Sequence, residues 1–86
     1  AETTRHAGGT VLLVDDEQII RKLGRTILER FGYTVVAVGD GAAAVELYRE
    51  SPGRFDPVIV DLSMPKMSGH EVIEALRAID REVPLL

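Results

Sequence analysis

Three aspartates carry the chemistry available to this sequence. Asp15 and Asp16 follow the apolar run VLLV, and Asp61 follows a second run, VIV. A parallel strand that ends in acid delivers its carboxylate to the carboxyl edge of the sheet, where open α/β sheets bind their ligands. Were the two strands neighbours, three carboxylates would meet on one patch. Crowded like charges cost energy, and one group takes up a proton unless a cation sits among them. An oxygen-only donor set without His or Cys suits Mg2+ or a similar hard cation. Either acidic strand end alone reads as well as a helix cap or a solvated loop residue. Their occurrence at two matching strand ends is what argues for a site. The chain has no cysteine, which excludes thiolate zinc sites, disulfides and cysteine nucleophiles. His6 falls in a polar N-terminal stretch and reads as a tag or linker residue. His70 falls in the first turn of a helix, exposed, with no partner at metal-ligand spacing.

The elements that must position these acids alternate. Residues 10–15 (TVLLVD) form a continuous apolar run rich in β-branched residues, as in a strand buried on both faces. Residues 17–31 switch to helical spacing, with Ile20, Leu23, Ile27 and Phe31 on one face, Ile19 and Leu28 beside them, and Arg21, Lys22, Arg25 and Glu29 on much of the other side as a solvated face. Gly24 costs this helix ~1 kcal/mol relative to Ala; close packing on the sheet is one reason for it, which the sequence alone does not show, and Gly32 reads as the C′ residue. Residues 33–38 (YTVVAV) form a second strand. Asp40 is placed to cap a helix over residues 42–50, and Ser51-Pro52-Gly53 breaks that helix. Pro57 cannot donate to a ladder and must sit at the start of the third strand, residues 58–61. Ser68 and Glu71 have the spacing of a capping box for a helix over residues 68–79. VPLL, at 83–86, begins a fourth strand. The order β-α-β-α-β-α-β predicts an α/β fold, a parallel sheet with helices on both faces.

Composition narrows the function. With 86 residues the chain is one small domain. Its net charge is −4, from 14 acidic and 10 basic residues, and it has no Trp, which argues against direct nucleic-acid binding. No apolar run approaches the ~20 residues of a membrane-spanning helix, and no signal-peptide pattern opens the chain. Residues 1–9 (AETTRHAGG) read as a linker or cloning remnant, and residues 10–86 as the folded part.

Three segments carry a resemblance to a known family: VLLVDDE at 11–17, GYTVVAVGDG at 32–41 and FDPVIVDLSMPKMSGHE at 55–71. Together they resemble the receiver domain of two-component response regulators, and are similar to the receivers of hybrid sensor kinases. The DD pair is weak evidence alone; the run from Asp61 to Gly69 is highly specific. The resemblance implies a flavodoxin-like three-layer fold with strand order 2-1-3-4-5. It implies that Asp61 is the phosphoacceptor, attacking a phosphohistidine. Asp16 would bind Mg2+ (or Mn2+) directly, Asp15 would act through a water, and the Ser63 backbone carbonyl would complete the ligands. Pro65 and Gly69 would shape the loop after the acceptor. The implied partner is a histidine kinase or a histidine phosphotransfer domain, and helix one often helps dock it. The implied location is cytoplasmic, free or as the cytoplasmic part of a membrane-bound hybrid kinase.

The sequence departs from the family at its end. It stops inside the fourth strand, before the family's strand-four hydroxyl and strand-five lysine, so a partial receiver is expected. The third strand's edge would be exposed and could promote self-association. Two other functions compete with the phosphoacceptor. One is an aspartate-nucleophile hydrolase similar to the haloacid dehalogenase phosphatases, which calls for a second Asp where this chain has Ser63. The other is an interaction module that takes no phosphate.

Overall fold

A computed structural model describes residues 9–64 and 67–86. The expected linker over residues 1–9 therefore lies almost wholly outside the described residues, with His6, and so does Pro65. Strand β1 (Thr10–Val14) is the central strand of a parallel sheet, flanked by β2 (Thr34–Val38) and β3 (Val58–Val60) in the order β2-β1-β3. Helices α1 (Gln18–Arg30), α2 (Gly41–Glu50) and α3 (Gly69–Ile79) follow the three strands in turn. This is the expected flavodoxin-like arrangement. Residues 83–86 lie along the outer side of β3, where Val58 N–H donates to Pro84 O at 2.8 Å and Leu86 N–H to Val58 O at 3.1 Å. The edge of β3 is thus covered at Val58 alone, and the expected fourth strand amounts to a single parallel bridge between Val58 and Leu85.

Register decides where the acids end up. Val14 pairs with Val38 on one side and with Val60 on the other. The residues that follow, Asp15, Gly39 and Asp61, therefore leave the sheet at one level. Two hydrogen bonds continue the ladder across this edge, Asp15 N–H to Val38 O at 3.1 Å and Asp61 N–H to Val14 O at 2.9 Å.

Alternation along β1 divides the core. Leu12 and Val14 point to the side of α2 and α3, where they are buried with Ala44, Val45, Tyr48, Phe55, Val72 and Leu76. Val11 and Leu13 point the other way, toward α1, and are buried with Val35. Capping fixes where two helices start. Asp40 accepts from Ala43 N at 2.8 Å to begin α2. Ser68 and Glu71 form the expected capping box of α3, with Glu71 N donating to Ser68 Oγ at 3.2 Å and Ser68 N to Glu71 Oε1 at 2.9 Å. Gly32, at φ 93°, ends α1 as expected.

The face of α1 differs from the sequence expectation. Ile20, Leu23, Ile27 and Phe31 are all exposed, Phe31 at 68%. The stripe turned to the sheet is Arg21, Gly24 and Leu28, one position further round the helix. Gly24 allows this approach, since a Cβ there would lie 3.1 Å from Leu13 Cδ2. Nor are the arginines simply a solvated face. Arg21 donates to Asp15 O and Arg25 to Val35 O, so both tie α1 to sheet backbone.

Candidate functional site

The carboxyl ends of β1 and β3 bring Asp15, Asp16 and Asp61 together, each with a carboxylate oxygen within 4.8 Å of the others'. Asp15 and Asp61 are half-buried and Asp16 is exposed. Asp15 Oδ1 accepts from Glu17 N at 2.9 Å, which closes the turn into α1. A cleft of about 360 Å3 opens beside the acids, lined by Asp16, Gly39, Asp40, Gly41, Met64 and Met67. Met64 is buried and Met67 packs against the same core, so both methionines support the loop after Asp61. His70 is exposed.

Ser63 does more here than the sequence suggested. Its backbone N–H and its Oγ both donate to Asp61 Oδ1, at 3.0 and 2.9 Å. The backbone N–H first, and the hydroxyl after it, hold the Asp61 carboxyl below its ordinary value of 3.8, while desolvation pushes the other way. The turn thus favours the charged form of Asp61. The signal was present in the sequence: an Asp two residues before a Ser in a loop commonly closes an Asx-type turn.

Gly69 starts α3 immediately against the loop that follows Asp61. A Cβ at this position would lie 2.4 Å from Leu62 Cα and 2.6 Å from Asp61 O. Only a glycine lets the helix approach the Asp61–Leu62 peptide this closely.

Three carboxylate oxygens at the solvent edge match the chemistry of a small hard cation, which binds one or two carboxylates and keeps several waters. The donor set contains no sulfur or imidazole that would favour zinc or copper. The residues present therefore fit Mg2+.

Comparison with known proteins agrees with this geometry. The family described as response regulator receiver domain matches residues 11–86. A probable transcriptional regulator, ycf27, of Guillardia theta is 44% identical over 77 residues, which span 88% of this chain and 29% of that protein. The sensor kinase CckA of Brucella abortus is 34% identical over 84 residues, 98% of this chain and 9% of the kinase. The chain thus spans less than a third of these relatives. The response regulator TrrA of Thermotoga maritima, crystallised with Mg2+ and BeF, superposes with a TM-score of 0.84 at 32% identity, covering 91% of this chain and 66% of that one. The same regulator was crystallised in complex with the histidine kinase ThkA, with a TM-score of 0.81. No helix among the described residues is long and apolar enough to cross a membrane. With an acidic edge built by strand register, a parallel order β2-β1-β3 and a family match over nearly its whole folded length, this chain belongs to the response regulator receiver domains of two-component signalling.

Proposed function

We propose that this domain accepts a phosphoryl group on Asp61 from a phosphohistidine. The donor would be a histidine kinase or a histidine phosphotransfer domain, and the setting the cytoplasm. The observation that carries the reading is the meeting of Asp61 with Asp15 and Asp16 at one sheet edge, where Ser63 donates twice to the Asp61 carboxylate. An Asp61 carboxylate oxygen attacks the phosphorus, an acyl–phosphate bond forms, and the P–N bond breaks with its electron pair leaving on the imidazole nitrogen. Asp15 and Asp16 would hold Mg2+ together with Asp61 and the Ser63 backbone carbonyl. When bound, the ion neutralises charge on the transferring oxygens. The cleft beside Asp16 gives the donor room at the acid edge. A hydrolase that uses a second acid two residues after its nucleophile is disfavoured, because that position is Ser63, whose hydroxyl is spent on Asp61.

The test is intact mass after incubation of the full-length protein with Mg2+ and acetyl phosphate, beside Asp61→Asn. The expected result is a gain of one phosphoryl group by the wild type and none at this domain in the variant. Equal labelling of both would displace the acceptor from Asp61. No labelling of the wild type would favour an interaction module, and repeated turnover of the donor without stable label would favour a hydrolase.

A further inference from the structure

The turn that carries Asp15 and Asp16 is held from the α1 side by an arginine. Arg21 reaches back from α1 and donates from Nη1 to Asp15 O at 2.7 Å, in a partly buried position. Its guanidinium lies against Gly39, the residue that follows β2. A Cβ at Gly39 would sit 3.0 Å from Arg21 Nη1 and 3.4 Å from Cζ, so the guanidinium rests closely on this residue. Asp15 N–H is engaged on the same side, donating to Val38 O at 3.1 Å. Both backbone polar groups of Asp15 are therefore fixed, the N–H by β2 and the carbonyl by Arg21. The side chain is fixed as well, by the bond that its Oδ1 accepts from Glu17 N.

We propose that Arg21 is a positioning residue for the cation site: by clamping the Asp15 carbonyl over Gly39, it sets the Asp15 and Asp16 carboxylates for a divalent cation. The proposal rests on the reading of the acidic edge as a Mg2+ site, and extends it to a residue that touches no ion. Groups behind metal ligands orient them, and their loss commonly weakens binding tenfold or more. Charge alone predicts the opposite sign. A guanidinium near three carboxylates competes with an incoming cation, so removing it should tighten binding. The two effects are therefore separable by experiment.

Arg25 supplies an internal control. It lies on the next turn of α1 and donates from Nη2 to Val35 O at 3.0 Å. Both arginines tie α1 to the sheet, but Arg25 does so three residues before the carboxyl end of β2 and away from the acidic turn.

The experiment is a Mg2+ titration followed by amide NMR shifts, on full-length wild type, Arg21→Ala and Arg25→Ala, with urea unfolding of each. Both variants should lose stability to a similar degree. Arg21→Ala should raise the Kd for Mg2+ roughly tenfold, while Arg25→Ala stays within about twofold of wild type. A Kd for Arg21→Ala equal to or below wild type overturns the proposal, as does equal weakening in both variants. Should Arg21→Ala fail to fold, Arg21→Met keeps the packing of the stem and removes the donor, and it must weaken Mg2+ binding to the same degree or the proposal falls. A wild-type protein that binds no Mg2+ overturns the cation reading of the site and this proposal with it.

Discussion

Ser63 donates twice to a single oxygen of Asp61, from its backbone N–H at 3.0 Å and from its hydroxyl at 2.9 Å. One short turn thus both ends β3 and sets the ionisation of the proposed nucleophile. Replacing Ser63 by Ala removes the hydroxyl and keeps the N–H. The Asp61 carboxyl should titrate closer to 3.8 in the variant, though still below it, as read from its carbon-13 shift against pH. The sign for stability follows. A carboxyl depressed in the folded state adds stability above its unfolded value and loses it as pH falls through the folded value. The Ser63→Ala protein should therefore show a smaller change of stability below about pH 4.

Gly69→Ala should be costly beyond its size. The added methyl meets backbone at Leu62 and Asp61 rather than the end of a flexible side chain. Overpacking of this kind typically costs about 1–3 kcal/mol. Urea unfolding measures that loss, and phosphoryl gain from acetyl phosphate should fall in the fraction that remains folded. An alanine protein with wild-type stability and labelling would show that α3 can retreat without disturbing the loop after Asp61.

Tyr48 and Asp80 make the counterpart at the opposite end of the sheet. The buried Tyr48 hydroxyl donates to Asp80 Oδ2 at 2.6 Å, linking α2 to the residue that ends α3. Tyr48→Phe should lower stability by roughly 1.5–3 kcal/mol, the range for a hydrogen bond to a charged group. Its Mg2+ affinity should match wild type, because the bond lies at the far ends of both helices from the acids. A large loss of Mg2+ affinity in this variant would mean that the two ends of the domain are coupled.

Alkaline titration tests the same pair. Burial, and then the bond to Asp80, push the Tyr48 hydroxyl up from 10.0 to about 12. A raised folded value stabilises the neutral form. This contribution is complete below pH 10 and is lost as pH rises from about 10 to about 12. The loss should reach roughly 2–3 kcal/mol. Chemical denaturation at pH 9 and near pH 12 measures it, and Tyr48→Phe should lack that part of the slope.

Much of the fold and the acidic edge was legible in the sequence because the signals are local. The capping box needs only Ser68 and Glu71, three residues apart, and the acids need only to follow two apolar runs. The seating of α1 was not legible. Ile20, Leu23 and Ile27 form a better apolar stripe than Arg21, Gly24 and Leu28, yet the second stripe faces the sheet. Two arginines find backbone carbonyls there, and a glycine admits Leu13. Hydrophobic periodicity counts apolar side chains and is blind to both effects. The bond from Tyr48 to Asp80 joins residues far apart in the chain, and no local pattern announces it. The family resemblance assigns Ser63 a role through its carbonyl, while its spacing from Asp61 favours the turn that puts its N–H and hydroxyl on the carboxylate.

β1 is made first and sits in the middle. On the ribosome, Thr10–Val14 emerges with four buried residues to satisfy, and Leu12 must wait for Val58 before its second neighbour exists. At translation speeds of ~5–20 residues per second, that wait lasts roughly 2–10 seconds. During it the nascent chain can pair β1 with β2 alone, and half of the ladder of its most buried strand stays open to other chains. Synthesis of this domain is therefore most exposed to aggregation in the interval between β2 and β3, and a chaperone that shields VLLV should raise its soluble yield more than one that acts after release.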